Sequence, residues 1–186
     1  GTDYKDVFCG QVALDLSPYR CQSEAGHREE MQLERPLAKV ELITTDIVKY
    51  LNKLEQTKSI RDAAIDDFTV QVLYTGYFPV GFNVVSNRPN EAVMGIKFTS
   101  NLLVLSDNEA CLAFDYVLVN GEESSVTLEM IIYNEEGQEV NRVTGVEVPL
   151  KRNKITMVRD EFLTREFAPG IGIDPGFDGE INVVVP

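Results

Sequence analysis

Tryptophan is absent from this chain, histidine occurs once and cysteine only three times. Three cysteines are too few for a disulfide scaffold, and Cys9, Cys21 and Cys111 are not spaced as zinc ligands. Cys9 and Cys21 bracket a hairpin-like stretch and are close enough in sequence to pair. The simpler expectation is three structural thiols, with Cys111 in Ala-Cys-Leu-Ala-Phe acting as a small buried hydrophobe. His27 stands in a polar, acidic loop with no nucleophile near it in sequence, so it reads as a surface residue rather than a general base. Apolar runs are all far shorter than the ~18 residues a membrane helix needs, and the first residues lack the basic-then-apolar pattern of a signal peptide. Basic side chains are scarce too. Seventeen Lys and Arg against thirty Asp and Glu leave a net charge of −13. That charge repels a phosphate backbone and an anionic membrane surface, which excludes nucleic acid as the expected partner.

What remains is an ordinary globular composition, 44% apolar over 186 residues, enough to build a core without metals or disulfides. Most of the apolar pattern has period two, the signature of strands with one buried face. Gln11 to Leu16 reads as a strand ended by Ser17-Pro18. Pro36 to Thr45 alternates, but Leu37, Val40 and Leu42 do not share one parity, which predicts a bulge or a two-sided strand. Asp46 opens the one convincing helix as a cap, with Ile47, Tyr50, Leu51 and Leu54 on one face. Residues 59–67 add either another helical turn or a loop. Phe68, Val70, Val72 and Tyr74 share a strand face, and the strand pattern restarts from Val80 to Val85. Ser86 to Asn90 has turn composition, with weaker strands at residues 95–98 and 101–105. Cys111 to Val119, Val126 to Tyr133, Val140 to Leu150, Lys154 to Leu163 and Ile181 to Val185 complete the strands. Asn120-Gly121 and Asn134 to Gly137 are expected as tight turns. Many short strands with one helix favour an all-β sandwich of a single domain over residues 1–186. A composition shift at residues 106–109 marks either a subdomain boundary or a loop within that sandwich.

Chemistry is harder to find. Asp174, Asp178 and Glu180 place three carboxylates on a Gly-rich stretch, the hard oxygen donors that calcium prefers. Their spacing is not that of an EF-hand, and Asp-Pro-Gly and Asp-Gly are turn formers, so they stand as weak metal candidates with turn construction the preferred reading. The same glycines lack the Lys-Ser/Thr of a phosphate loop. Lys151-Arg-Asn-Lys154, with Arg142 and Arg159 nearby, is the densest basic patch. It reads as a solvated turn or as an ion-pairing surface for an acidic subunit. Tyr19, Tyr50, Tyr74, Tyr77 and Tyr133 are core or rim aromatics that remain available to a sugar. No catalytic residue and no cofactor are expected.

Several stretches together resemble a known family. They are Tyr4-Lys-Asp-Val-Phe8, Arg35-Pro-Leu-Ala-Lys39 running on to Asp46, Tyr74-Thr-Gly-Tyr-Phe-Pro-Val-Gly-Phe-Asn83 into Asn87-Arg-Pro89, and Ala113-Phe-Asp-Tyr116 to Gly121. Val148-Pro-Leu-Lys-Arg-Asn-Lys154 with Phe162-Leu-Thr164, and Gly170-Ile-Gly-Ile-Asp-Pro-Gly-Phe-Asp-Gly-Glu180, complete the set. Their order is similar to that of the fimbrillin-like lipoproteins of Bacteroides and relatives, across nearly the whole chain. The resemblance implies a transthyretin-like β-sandwich with Greek-key connections, exported and held at the outer membrane by a lipid on an N-terminal cysteine, or extracellular. It implies further strands and that lipidated cysteine upstream of residue 1; Cys9, inside a strand-like segment, is not equated with it. The implied function is non-enzymatic: a fimbrial subunit, anchor or assembly component, with other cell-surface subunits, a host protein or a glycan as partner. Ile181, Asn182, Val183, Val184 and Val185, preceded by the Gly-rich stretch, form the expected assembly edge, through which strands can be donated between subunits. A second reading is a carbohydrate-binding module, Ca-assisted by Asp174, Asp178 and Glu180. A third is a carboxylate-dependent hydrolase, which requires two acids facing across a cleft.

Overall fold

The computed structural model describes residues 5–21, 26, 28–56, 65–165 and the backbone of 181–184. Eleven strands, one short α-helix and two 3-10 turns (Ser17–Tyr19 and Ile65–Asp67) make up the regular structure of these residues: β1 (Leu37–Thr44), α1 (Ile47–Gln56), β2 (Thr69–Tyr74), β3 (Phe78–Asn83), β4 (Arg88–Val93), β5 (Lys97–Asn101), β6 (Leu103–Val104), β7 (Ala110–Leu118), β8 (Glu123–Tyr133), β9 (Glu139–Lys151), β10 (Lys154–Asp160) and β11 (Ile181–Val184). They form three sheets, a five-stranded one in the order β11-β10-β1-β7-β6, a four-stranded one in the order β5-β2-β8-β9, and the two-stranded β3-β4. The two larger sheets contribute to one continuous core cluster, an arrangement consistent with a β-sandwich.

Side-chain alternation builds that core. Phe68, Val70, Val72 and Tyr74 of the β2 segment are all buried, with Val126, Leu128, Met130 and Ile132 of β8 beside them. On β1, Ala38, Val40 and Leu42 face inward, while Lys39 and Glu41 pair on the outer face with Nζ and Oε1 2.7 Å apart. The parity conflict read in β1 is seen at its start, where Leu37 and Ala38 are both buried, and a separate register shift between Leu42 and Ile43 in its pairing with β7 buries those two neighbours as well. β9 switches parity in the same way. Leu128 pairs with Val146 and Met130 with Val143, so two residues of β9 oppose Glu129. One of them, Gly145, has φ of +69°, a conformation that a side chain disfavours at a bulge. The bulge lets Val143, Val146, Val148 and Leu150 all face the core.

Three expectations need correction. Gln11 to Leu16 is not a strand: Val12, Leu14 and Leu16 are exposed, and the segment lies beside residues 28–34 joined by the single Cys9–Glu34 bridge. Gly10 sits against the Gln32 carbonyl so closely that a Cβ would collide with it. Arg88 to Val93, of turn-like composition at its start, forms β4, and the turn falls at residues 84–87. Pro79 and Pro89 are tolerated because their two strands have no partner beyond each other. Asn120-Gly121 is not a hairpin turn, since β7 and β8 belong to different sheets and the turn carries the chain between them. The sheets are mixed: β1 and β10 run parallel from Lys39–Ile155 to Thr44–Asp160. Asn134 to Gly137, by contrast, does close the β8–β9 hairpin, with Gly137 at φ +74°.

The helix starts where expected, but its cap comes from elsewhere. Asn108 accepts the Val48 N–H on Oδ1 (3.0 Å) and the Ile47 N–H on its carbonyl (3.3 Å), and its Nδ2 donates to the Thr45 carbonyl (2.6 Å). Residues 106–109 are thus the β6–β7 loop, clamped onto α1, and Leu102 and Ala110 on either side of it lie in the same core cluster. Tyr50 meets Phe68 edge-on, with centroids 5.9 Å apart, which seats α1 on the core.

Candidate functional site

Three places could carry function, and each can be built from its residues. The first is the outer edge of the five-stranded sheet. β11 is its last strand and pairs antiparallel with β10 through Lys154–Val184, Ile155–Val183 and Thr156–Ile181, with a register shift after Ile155. On its other side β10 pairs with β1 over six residues. Past Thr156 the outer edge of β10 meets no strand among the described residues. The chain leaves β10 through a firmly held root. Phe162 and Leu163 are buried in the core. Asp46, itself buried, accepts the Thr44 hydroxyl (2.5 Å) and the N–H groups of Leu163 (3.3 Å) and Thr164 (2.8 Å). Asn141 Nδ2 donates to the carbonyls of Phe162 (2.8 Å) and Arg165 (2.9 Å). Asp46 therefore caps this root rather than its own helix.

The second place is a cleft of about 430 Å³ between the β3–β4 hairpin and the start of β8. Tyr77, 76% exposed, stands on its rim, and Asn90, Glu91, Asn120, Ser124 and Ser125 line it. The hairpin wall is fixed by Arg152, whose Nη1 donates to Asn87 Oδ1 (2.9 Å) and Nη2 to the Asn87 carbonyl (2.7 Å), with the guanidinium 5.6 Å from the Phe82 ring centroid.

The third is a buried polar cluster. Asp115 accepts Lys5 Nζ on both carboxylate oxygens (2.8 and 3.0 Å), the Tyr74 hydroxyl (3.0 Å) and the Tyr116 N–H (2.8 Å). Burial, reinforced by the Asp115 charge and hydrogen bond, holds the Tyr74 phenol well above its ordinary pKa. Acid, amine and phenol resemble a catalytic group, yet Asp115 and Tyr74 are 1% and 2% exposed. No substrate reaches them in this conformation. Their work is to tie down the N-terminal segment, together with the Asp6–Arg35 ion pair (2.6 Å) and the Arg35–Asn153 hydrogen bond (3.0 Å).

The whole chain, residues 1–186, matches one family. It belongs to DUF6562, a family of unknown function. No curated protein matches it.

Against this geometry the expected site residues fall as follows. Ile181, Asn182, Val183 and Val184 form the edge strand β11, while Val185 lies outside the described residues. Asp174, Asp178, Glu180 and His27 also lie outside them, and among the described residues no three His, Cys, Asp or Glu side chains gather as a metal site. Cys9, Cys21 and Cys111 are free thiols, and burial raises the pKa of Cys111. Of the tyrosines held available to a sugar, Tyr74 is buried and hydrogen-bonded to Asp115, whereas Tyr77 is open to solvent. The basic patch is partly paired within the chain: Lys151 with Glu123 (2.8 Å), Arg142 with Glu129 (2.7 Å) and Glu139 (2.8 Å), Arg159 with Glu109 (2.6 Å). These contacts hold the carboxyls of Glu123 and Glu139 below their ordinary pKa. Sequence reasoning missed the cleft, because its lining comes from separate segments, and missed Asp46 as the cap of the root. An Asp before a helix reads as that helix's own cap, and nothing local points to residues 163–164.

Proposed function

We propose that this chain is a non-enzymatic cell-surface structural or adhesion subunit of a fimbria-like assembly, joining other subunits along strand edges, with the finer architecture of a transthyretin-like, Greek-key sandwich. The resemblance to fimbrillin-like lipoproteins supplies the expected setting, an outer-membrane lipid anchor or an extracellular location, with neighbouring subunits as partners. The observation that carries the reading is β11: an outermost strand, paired with β10 at three positions, on a chain that leaves the core through an anchored root. Such an edge satisfies an incoming backbone as readily as its own, and side chains that alternate in and out supply specificity.

The test removes residues 179–186 and follows oligomer size and thermal stability, then adds the same eight residues back as a synthetic peptide. The expected outcome is a lower melting temperature and altered assembly, with partial recovery as peptide concentration rises, since binding to the folded state stabilises it by mass action. A truncated chain with unchanged melting temperature and oligomer size, or one indifferent to the peptide, removes the strand from both core and assembly.

A further inference from the structure

The cleft beside the β3–β4 hairpin shares no residue with β10 or β11, so what it does is separate from strand-edge assembly. Its volume of about 430 Å³ falls within the roughly 300–1,000 Å³ of small-ligand sites. The lining has a distinct chemistry. Asn90 and Asn120 carry amides that both donate and accept, Ser124 carries a hydroxyl, and Glu91 carries an acceptor carboxylate. None of these four side chains is taken up by a hydrogen bond within the described residues. Tyr77 adds a broad, solvent-facing aromatic face at the rim. Among the described residues no Lys or Arg lines the cleft, and Glu91 together with the net charge of −13 disfavours phosphate, sulfate or an acidic sugar.

A ligand that fits must be uncharged, rich in hydroxyls, and apolar on one flat side. A pyranose ring answers that description, because its C–H face can lie on an aromatic ring while its hydroxyls pair with amides and carboxylates. We propose that this cleft binds a neutral saccharide, with Tyr77 as the stacking platform and Asn90, Glu91, Asn120 and Ser124 as hydroxyl partners. The walls are set in advance. Pro79 and Pro89 fix φ on both strands of the hairpin, and Arg152 holds the turn at Asn87. Little ordering cost then falls on binding.

Calorimetric titration of the full chain with neutral oligosaccharides of glucose, galactose, mannose and N-acetylhexosamines tests this. Sialylated and sulfated glycans and a proline-rich peptide serve as comparators. The expected result is saturable binding of a neutral sugar, weakened at least about tenfold in Tyr77→Ala and in Asn90→Ala and retained in Tyr77→Phe, with unchanged melting temperatures. Binding should also survive removal of residues 179–186, which keeps this result independent of the assembly reading. No binding by any neutral sugar, binding that ignores Tyr77→Ala and Asn90→Ala, or occupation of the cleft by the acidic glycans or the peptide instead would overturn it.

Discussion

Asp115 shows how one buried acid can hold a distant segment in place. Its carboxylate is compensated by the Lys5 ammonium, the Tyr74 hydroxyl and the Tyr116 N–H, groups drawn from three parts of the chain. Removing one partner of a buried pair leaves the rest desolvated and unpaired, which costs about 3–5 kcal/mol. Asp115→Ala is therefore expected to lose that much in urea unfolding at neutral pH. A loss below about 1 kcal/mol would be the signature of an exposed pair and would mean that the N-terminal segment is not docked. The same cluster sets an alkaline limit. The Tyr74 phenol is raised above its ordinary value of 10.0 by burial first and by Asp115 second. In the unfolded chain it ionises near that ordinary value, while in the folded chain it keeps its proton to higher pH. Its contribution is thus complete below the unfolded value and is lost as pH rises towards the folded one. Stability of the wild type should fall above about pH 10. Tyr74→Phe should flatten that fall without abolishing it, because Tyr50 is also raised by burial. Equal slopes in both proteins would contradict this account.

At the scale of elements, caps cross from one segment to another. Asn108→Ala should fray the start of α1 at a cost of about 1 kcal/mol. Asp46→Ala should instead release the amides of Leu163 and Thr164, at about 1–3 kcal/mol for buried groups left unpaired. Amide hydrogen exchange read at those positions distinguishes the two, and faster exchange of Val48 in Asp46→Ala would reverse the assignment. What could be read from the residues in order was whatever depends on neighbours. The Phe68–Tyr74 alternation marks β2 because burial on one face imposes period two, and Ile47, Tyr50 and Leu51 mark α1 because one side must meet the core. Composition misled where tertiary contact decides. Gln11 to Leu16 alternates without a sheet to join, and Arg88-Pro89-Asn90 looks like a turn but lies on a two-stranded ribbon where proline costs no ladder bond. The edge strand was legible from its β-branched run at the chain's end. The cleft was not, because Tyr77, Asn90 and Asn120 share nothing in sequence and meet only after β3–β4 folds against the start of β8.

At the scale of the whole molecule, the chain changes sheets repeatedly: at Leu102 between β5 and β6, at residues 119–122 between β7 and β8, and at Arg152 and Asn153 between β9 and β10. Each crossing stitches the two layers together, and Thr156 adds a cross-layer bond from its hydroxyl to the Pro149 carbonyl (2.7 Å). β1 lies at the centre of the five-stranded sheet, flanked by β7 on one side and β10 on the other. β1 thus takes both of its neighbours from segments made long after it, β7 first and β10 later still. Contacts so distant in sequence close their loops at high entropic cost, which slows folding and leaves a hydrophobic strand bare while the ribosome is still at work.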